Sequence, residues 1–154
     1  MMKTKALIIT LFIILAGFFQ TEAATAVEKA RAKAVLVKTN TALGVTHMTI
    51  KRTRKFSGKL GLAVKHERYA KKLYEAGNYD KAVLHSLFAR KIATEAMGEN
   101  GAKTNTLFTY SPEEKGFLAN SPSDEDLKKE ALADDPKEIK DEDLMNGNLG
   151  LEIL

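Results

Sequence analysis

The chain has 154 residues, one domain's worth at about 150 residues per domain, and 24 Lys+Arg against 20 Asp+Glu leave +4, too little to name a polyanionic partner. The absence of cysteine excludes disulfides, thiolate metal sites, a cysteine nucleophile and a lipidated cysteine anchor. No Trp, three Pro and 44% hydrophobic residues exclude collagen-like and low-complexity chains and favour a globular helical class.

The N-terminus places Lys3 and Lys5 before fourteen uncharged residues, Ala6 to Phe19, and then small residues at Ala23, Ala24 and Ala26. These are the three parts of a secretory signal peptide. The apolar run falls short of the roughly 20 residues needed to span a bilayer, so cleavage is expected, after Ala23 or after Ala26. The mature chain would be exported, periplasmic or secreted, with no transmembrane span. Removing residues 1–23 takes Phe12, Phe18 and Phe19 and leaves Phe56, Phe88, Phe108, Phe117 and four Tyr. So few large side chains imply a thin, alanine-rich core and marginal stability.

The remainder divides by charge. Residues 24–115 carry 18 Lys+Arg and 8 Asp+Glu, a basic body of +10, and residues 116–154 carry 4 and 11, an acidic extension of −7. Opposite charges on one chain attract at high effective concentration, so the extension is a candidate to dock on the body.

In the body, Val27, Ala30, Ala34 and Val37 recur at three and four residues and predict an amphipathic first helix to about Asn40. Gly44 and the β-branched stretch Val45 to Ile50 are expected to interrupt it, and residues 45–58 read equally as helix or loop. Leu62, His66, Tyr69, Ala70 and Leu73 predict a second helix ending at Gly77, whose missing Cβ suits a left-handed cap. Asn78 can N-cap a third helix with a buried stripe of Ala82, Ser86, Ala89, Ala93 and Ala96 or Met97, ended by the Gly98 to Gly101 segment.

Residues 66–90 carry Ala70, Gly77, Tyr79, Ala82 and Ala89 at the spacing of one tetratricopeptide unit, and the segment resembles that family. His66 replaces the family's initial aromatic, and no terminating proline appears. The resemblance implies an antiparallel helical hairpin in which small residues allow close approach. A lone unit cannot bury its own apolar face, so the first helix and the segments after Leu107 are expected to cover it. Gly77 to Tyr79 followed by Ala82 to Ser86 is also similar to helical nucleotide-binding domains of bacterial toxin systems. No Arg stands four to six residues before His47, His66 or His85, so that family's nuclease pairing is absent.

His66 and His85 fall on opposite arms of the hairpin at heights differing by about 5 Å, near enough to face each other. With Glu67 or Asp80 they invite a metal, but no His-x-x-x-His or Glu-x-x-His pair fixes such a site, and a core histidine pair is the preferred reading. Lys51, Arg52, Arg54 and Lys55, followed by Lys59, form a candidate patch for an anionic partner. A solvated loop, a dock for the chain's own tail and an external polyanion are the three readings. Nucleic acid is disfavoured because Phe56 is the patch's single aromatic.

In the extension, Ser123 reads as an N-cap with an acidic first turn and a helix to about Ala133, and Asp141 to Leu144 as a second helix start. Asp141, Asp143 and Asn146 do not make an EF-hand, since Met145 and Asn146 occupy positions five and six. The alternating residues 148–154 could add to a partner's sheet edge, but fraying is the preferred reading. No Ser-His-Asp order, phosphate-binding glycine loop or zinc signature appears, and Glu113-Glu114 would diverge on a helix. The expectation is an all-α small bundle around a tetratricopeptide-like hairpin with a partly disordered acidic tail. Its expected function is non-catalytic interaction with another exported or envelope protein, without a cofactor. A periplasmic binder of anionic polymer or lipid through residues 51–59 is the alternative.

Overall fold

The computed structural model describes the backbone of residues 3–153 and the side chains of residues 25–153, so the leader reading of residues 1–23 lies outside the described side chains. Six helices and no strand occur among the described residues: α1 (Lys3–Thr53), α2 (Lys59–Glu75), α3 (Tyr79–Glu99), α4 (Pro112–Ala119), α5 (Asp124–Asp134) and α6 (Asp141–Leu144). The protein is an all-α bundle. Among the described residues no helix is long and apolar enough to cross a membrane.

The antiparallel hairpin of α2 and α3 is the centre of the packing, and α1 lies across it. The turn follows from Gly77, at φ +80°: its N–H bonds Tyr74 O at 3.0 Å and the Asn78 N–H bonds Leu73 O at 2.8 Å, the paired bonds of a Schellman cap. Asn78 is the N-cap of α3 as expected by position, but its side chain makes no capping bond. Ala70, Ala82 and Ala89 are fully buried, so the two helices meet over small residues, and Tyr79 packs against Tyr74 beside the turn.

The first helix departs from expectation in two ways. It continues through Gly44 and the β-branched stretch to Thr53, with the Thr41, Thr46 and Thr53 hydroxyls satisfied by bonding back to the carbonyls of Val37, Ala42 and Thr49. Burial of Ala42, Leu43, Thr46 and Ile50 against the hairpin outweighs their weak helix propensity. The second departure concerns which face is inside. Ala32, Val35, Leu36, Thr39 and Leu43 are buried, whereas the stripe Val27, Ala30, Ala34 and Val37 faces solvent.

The core has two apolar clusters. One, toward the hairpin turn, joins Leu36, Ala70, Tyr74, Val83 and Leu87; the other joins Leu43, Ile50, Val64, Phe88, Ile92 and Met97. Between their levels lies a buried polar layer of Thr39, His66, Glu67, His85, Ser86 and Arg90.

The acidic extension, expected to be partly disordered, closes the second cluster with Leu127, Leu144, Met145, Leu149 and Leu151. Leu149 and Leu151 are buried where fraying was expected: the Leu149 carbonyl accepts from Arg68 Nε at 3.0 Å and the Leu151 carbonyl from Asn40 Nδ2 at 2.6 Å. Ser123 caps α5 by accepting the Asp126 N–H at 3.2 Å, as its sequence predicts.

Candidate functional site

The buried polar layer brings two histidine rings together. His66 Nδ1 and His85 Nδ1 lie 3.1 Å apart, and His85 Nε2 lies 3.3 Å from Glu130 Oε2. The chain of contacts is satisfied when His85 carries its proton on Nε2, toward Glu130, and His66 donates from Nδ1. Burial, and then the charge of His85, pull His66 down to about 3, so it is neutral at ordinary pH. Burial also lowers His85, against the opposing pull of Glu130. Both rings are fully enclosed and stack between Tyr69 and Phe88 edges, an arrangement suited to packing. Among the described residues no three His, Asp or Glu side chains are placed to hold a metal.

Beside this pair, Glu67 is fully buried, and desolvation pushes it up to about 8 against the pull of Ser86 and the charge of Arg90. Both its carboxyl oxygens and the Ser86 hydroxyl lie without a well-formed hydrogen bond. Arg90 is fully buried too and gathers three elements. It donates to Glu114 Oε1 at 2.8 Å, to Thr39 Oγ1 at 2.9 Å and to Val35 O at 3.2 Å. Glu114 in turn accepts from Lys38 at 3.3 Å and from the Ser111 N–H at 2.8 Å, completing a capping box that starts α4. Burial alone would raise Glu114; those donors hold it below its ordinary value. Sequence reading missed Arg90, although its place four residues after Ser86 on the expected buried stripe of α3 was a usable signal.

The cations of residues 51–59 are not brought to one use. Lys51, Arg52, Arg54 and Lys55 are exposed and make no ion pair among the described residues. Lys59 instead bridges Glu95 at 2.9 Å and Glu99 at 2.7 Å on α3, and these hydrogen bonds raise its pKa. The ion pairs between body and extension use other cations: Lys72 with Asp134, Lys81 with Glu130 and Lys91 with Asp124.

The extension reaches the cation cluster through an amide contact. Asp141 is fully buried, and its carboxylate accepts the N–H groups of Ser57 at 3.0 Å, Gly58 at 2.9 Å and Gly61 at 2.8 Å. Its role is a cap for α2 supplied from 80 residues away, where the local N-cap Gly58 has no side chain to offer. Gly61 is required for this approach, since a Cβ there would stand 1.8 Å from Ile139 O. Asp141→Ala and Gly61→Ala should each lower stability by about 2–3 kcal/mol in urea melts, from loss of the cap and exposure of buried amides. Because both break one contact, the double variant should be no worse than the poorer single, and additive losses would refute the shared contact.

The surface left open is the outer face of α1. Val27, Val37 and Met48 are 66%, 49% and 72% exposed and account for three of the four exposed large apolar side chains among the described residues. With Ala30, Ala34, Thr41 and Gly44 they form a run spaced by three and four residues over some six turns, a stripe that straddles one side of the helix. From Lys29 to Thr53 α1 contains no Asp or Glu and six cations, of which Arg31 and Lys38 flank one edge of the stripe and Lys33 and Lys51 the other. Two shallow hollows run beside it, one lined by Arg31, Ala34, Lys38, Glu113, Glu114 and Phe117 and one by Asn40, Gly44, His47, Met48, Leu151 and Glu152. The stripe continues at its end into Arg52 and the exposed 51–55 cations. Comparison with protein-family models, curated proteins and solved structures gave no match.

Proposed function

We propose that this chain is an exported, non-catalytic interaction protein, built on a tetratricopeptide-like hairpin, that receives a partner helix along the outer face of α1. The observation that carries the reading is the exposed run from Val27 to Met48, apolar or small at every third or fourth position while a different stripe of the same helix fills the core. A monomer gains nothing from such a run in water, whereas a second helix would bury it as a coiled-coil-like seam. Of the four flanking cations, Arg31 and Lys38 are already paired with Asp80, Glu113 and Glu114, whereas Lys33 and Lys51 make no ion pair among the described residues; that open basic edge favours a partner with acidic residues facing it and disfavours a second copy of this chain, whose like charges would meet there. The leader of residues 1–23 supports an exported or envelope protein as that partner.

Val37→Glu and Met48→Glu test the reading. Both positions are exposed, so melts should stay within about 0.5 kcal/mol of wild type. In pull-downs from the exported fraction each variant should lose the species that wild type captures. Capture should persist at high salt, because apolar burial holds the seam. Equal capture by wild type and both variants would overturn it.

A polyanion reading is favoured by one specific observation, that Lys51, Arg52, Arg54 and Lys55 are exposed and outside every ion pair among the described residues. Binding of that kind weakens steeply as salt rises, by about 0.9 per phosphate contact in the logarithmic slope. A captured partner that is released between low and high salt, and is unaffected by Val37→Glu, would favour it.

A further inference from the structure

We infer that the groove between the start of α2 and the end of α5 binds a small amphiphilic anion, with Lys65 as its counter-charge. The groove measures about 340 Å³, within the range of small-molecule sites. Leu62, Leu132, Pro136 and Ile139 supply its apolar lining, and Leu132 is 47% exposed, the one exposed large apolar side chain outside α1 among the described residues. An apolar trough open to water is a place where an alkyl chain gains by displacing solvent.

The charge in the groove is what selects the ligand: Lys59, Lys65 and Lys128 line it against one carboxylate, Glu138. Lys65 lines it and is only 6% exposed, and its ammonium is held by the Asp135 carbonyl at 2.7 Å. No carboxylate lies within ion-pair distance of it among the described residues, unlike Lys59, which has Glu95 and Glu99, and Lys128, which has Glu125. With one carbonyl as its recorded acceptor, the Lys65 amine keeps further N–H donors for a ligand in the groove. The nearby backbone amides of Ser57, Gly58 and Gly61 are already taken by Asp141, so the anchor for an incoming anion is the lysine. A carboxylate on Lys65 with an alkyl chain along Leu62, Leu132 and Ile139 satisfies both halves of the site. The site is remote in role from the α1 stripe, so either reading can fail alone.

Titration of the full chain with decanoate, below the concentration at which it forms micelles, is the test. Wild type should show one saturable site, with no comparable binding of acetate, which lacks the chain, or of decyltrimethylammonium, which reverses the charge. Lys65→Met keeps the apolar stem and should weaken decanoate at least tenfold. Leu132→Asp, at an exposed rim position where folding is not in question, should do the same by placing a like charge and removing apolar area. Acetate binding as tightly as decanoate would replace the amphiphile with a simple anion and overturn the proposal. Unsaturable binding by wild type, or equal affinity in wild type and Leu132→Asp, would overturn it as well.

Discussion

Glu114→Ala should destabilise the protein by about 3–5 kcal/mol, the range for removing one partner of a buried ion pair. Arg90 has no exposed surface, and Glu114 is its only carboxylate partner among the described residues. Its truncation leaves a guanidinium in the core with neutral acceptors alone, Thr39 Oγ1, Val35 O and, at 3.5 Å, Thr109 O, and also removes the carboxylate half of the capping box with Ser111. Against a typical total of about 5–15 kcal/mol, such a loss should lower the melting temperature by roughly 10–20 °C. Arg90→Met/Glu114→Gln separates pairing from packing. It removes both charges while keeping an acceptor for Lys38 and the Ser111 amide, so it should be markedly more stable than Glu114→Ala. A Glu114→Ala melt within about 1 kcal/mol of wild type would show that Arg90 finds water or another anion, and the description of the layer would be wrong.

That layer explains why some of the fold was legible in the sequence and some was not. Gly77 could be placed because only a residue without Cβ takes φ +80° at low cost, and the alanine stripe of α3 because its period fits a single face. The first helix offers two stripes, Val27-Ala30-Ala34-Val37 and Ala32-Val35-Leu36-Thr39-Leu43. Periodicity finds both and does not rank them. The hairpin decides: the second stripe carries Thr39 to the Arg90 guanidinium and Leu36 and Leu43 to the two apolar clusters. Gly44 and the threonine-rich stretch looked like a break because propensity is local, and burial of Ile50 with back-bonded hydroxyls is not. Asp141 was legible as an acidic helix start, but Lys140 is the N-cap of α6 and the Asp141 carboxylate serves α2. Nothing between residues 57 and 61 announces a cap that arrives from position 141. Which α1 stripe is open follows only from which one the hairpin buries.

Stability should pass through a maximum between about pH 4.5 and 6.5, because two adjacent residues of α2 resist opposite changes of charge. His66 has a folded value near 3 and an unfolded value of 6.5, so as pH falls below 6.5 the unfolded chain takes up a proton that the folded chain refuses. Stability is therefore lost from 6.5 downward toward 3. Glu67 has a folded value near 8 and an unfolded value of 4.5, so between these the folded chain keeps a proton that the unfolded chain has released. Stability is lost as pH rises from 4.5 to 8 and then levels off once Glu67 ionises in both states. Each displacement of a few pH units corresponds to a loss of several kcal/mol at most, on the order of 4. The acid limb is shared: His85 is lowered in the same sense as His66, and Glu114 and Glu130, both held below their ordinary values, also lose stability as pH falls through them. The alkaline limb belongs to Glu67 alone among these groups, so Glu67→Gln should abolish it. At pH 8 the variant should be more stable than wild type by about 2–4 kcal/mol, and near pH 4, where Glu67 is protonated in both states, the two should agree. Urea melts at pH 4, 6 and 8 decide the matter. A wild-type stability that keeps rising from pH 6 to 8, with Glu67→Gln parallel to it, would mean that Arg90 holds Glu67 ionised and that the buried layer carries a second ion pair.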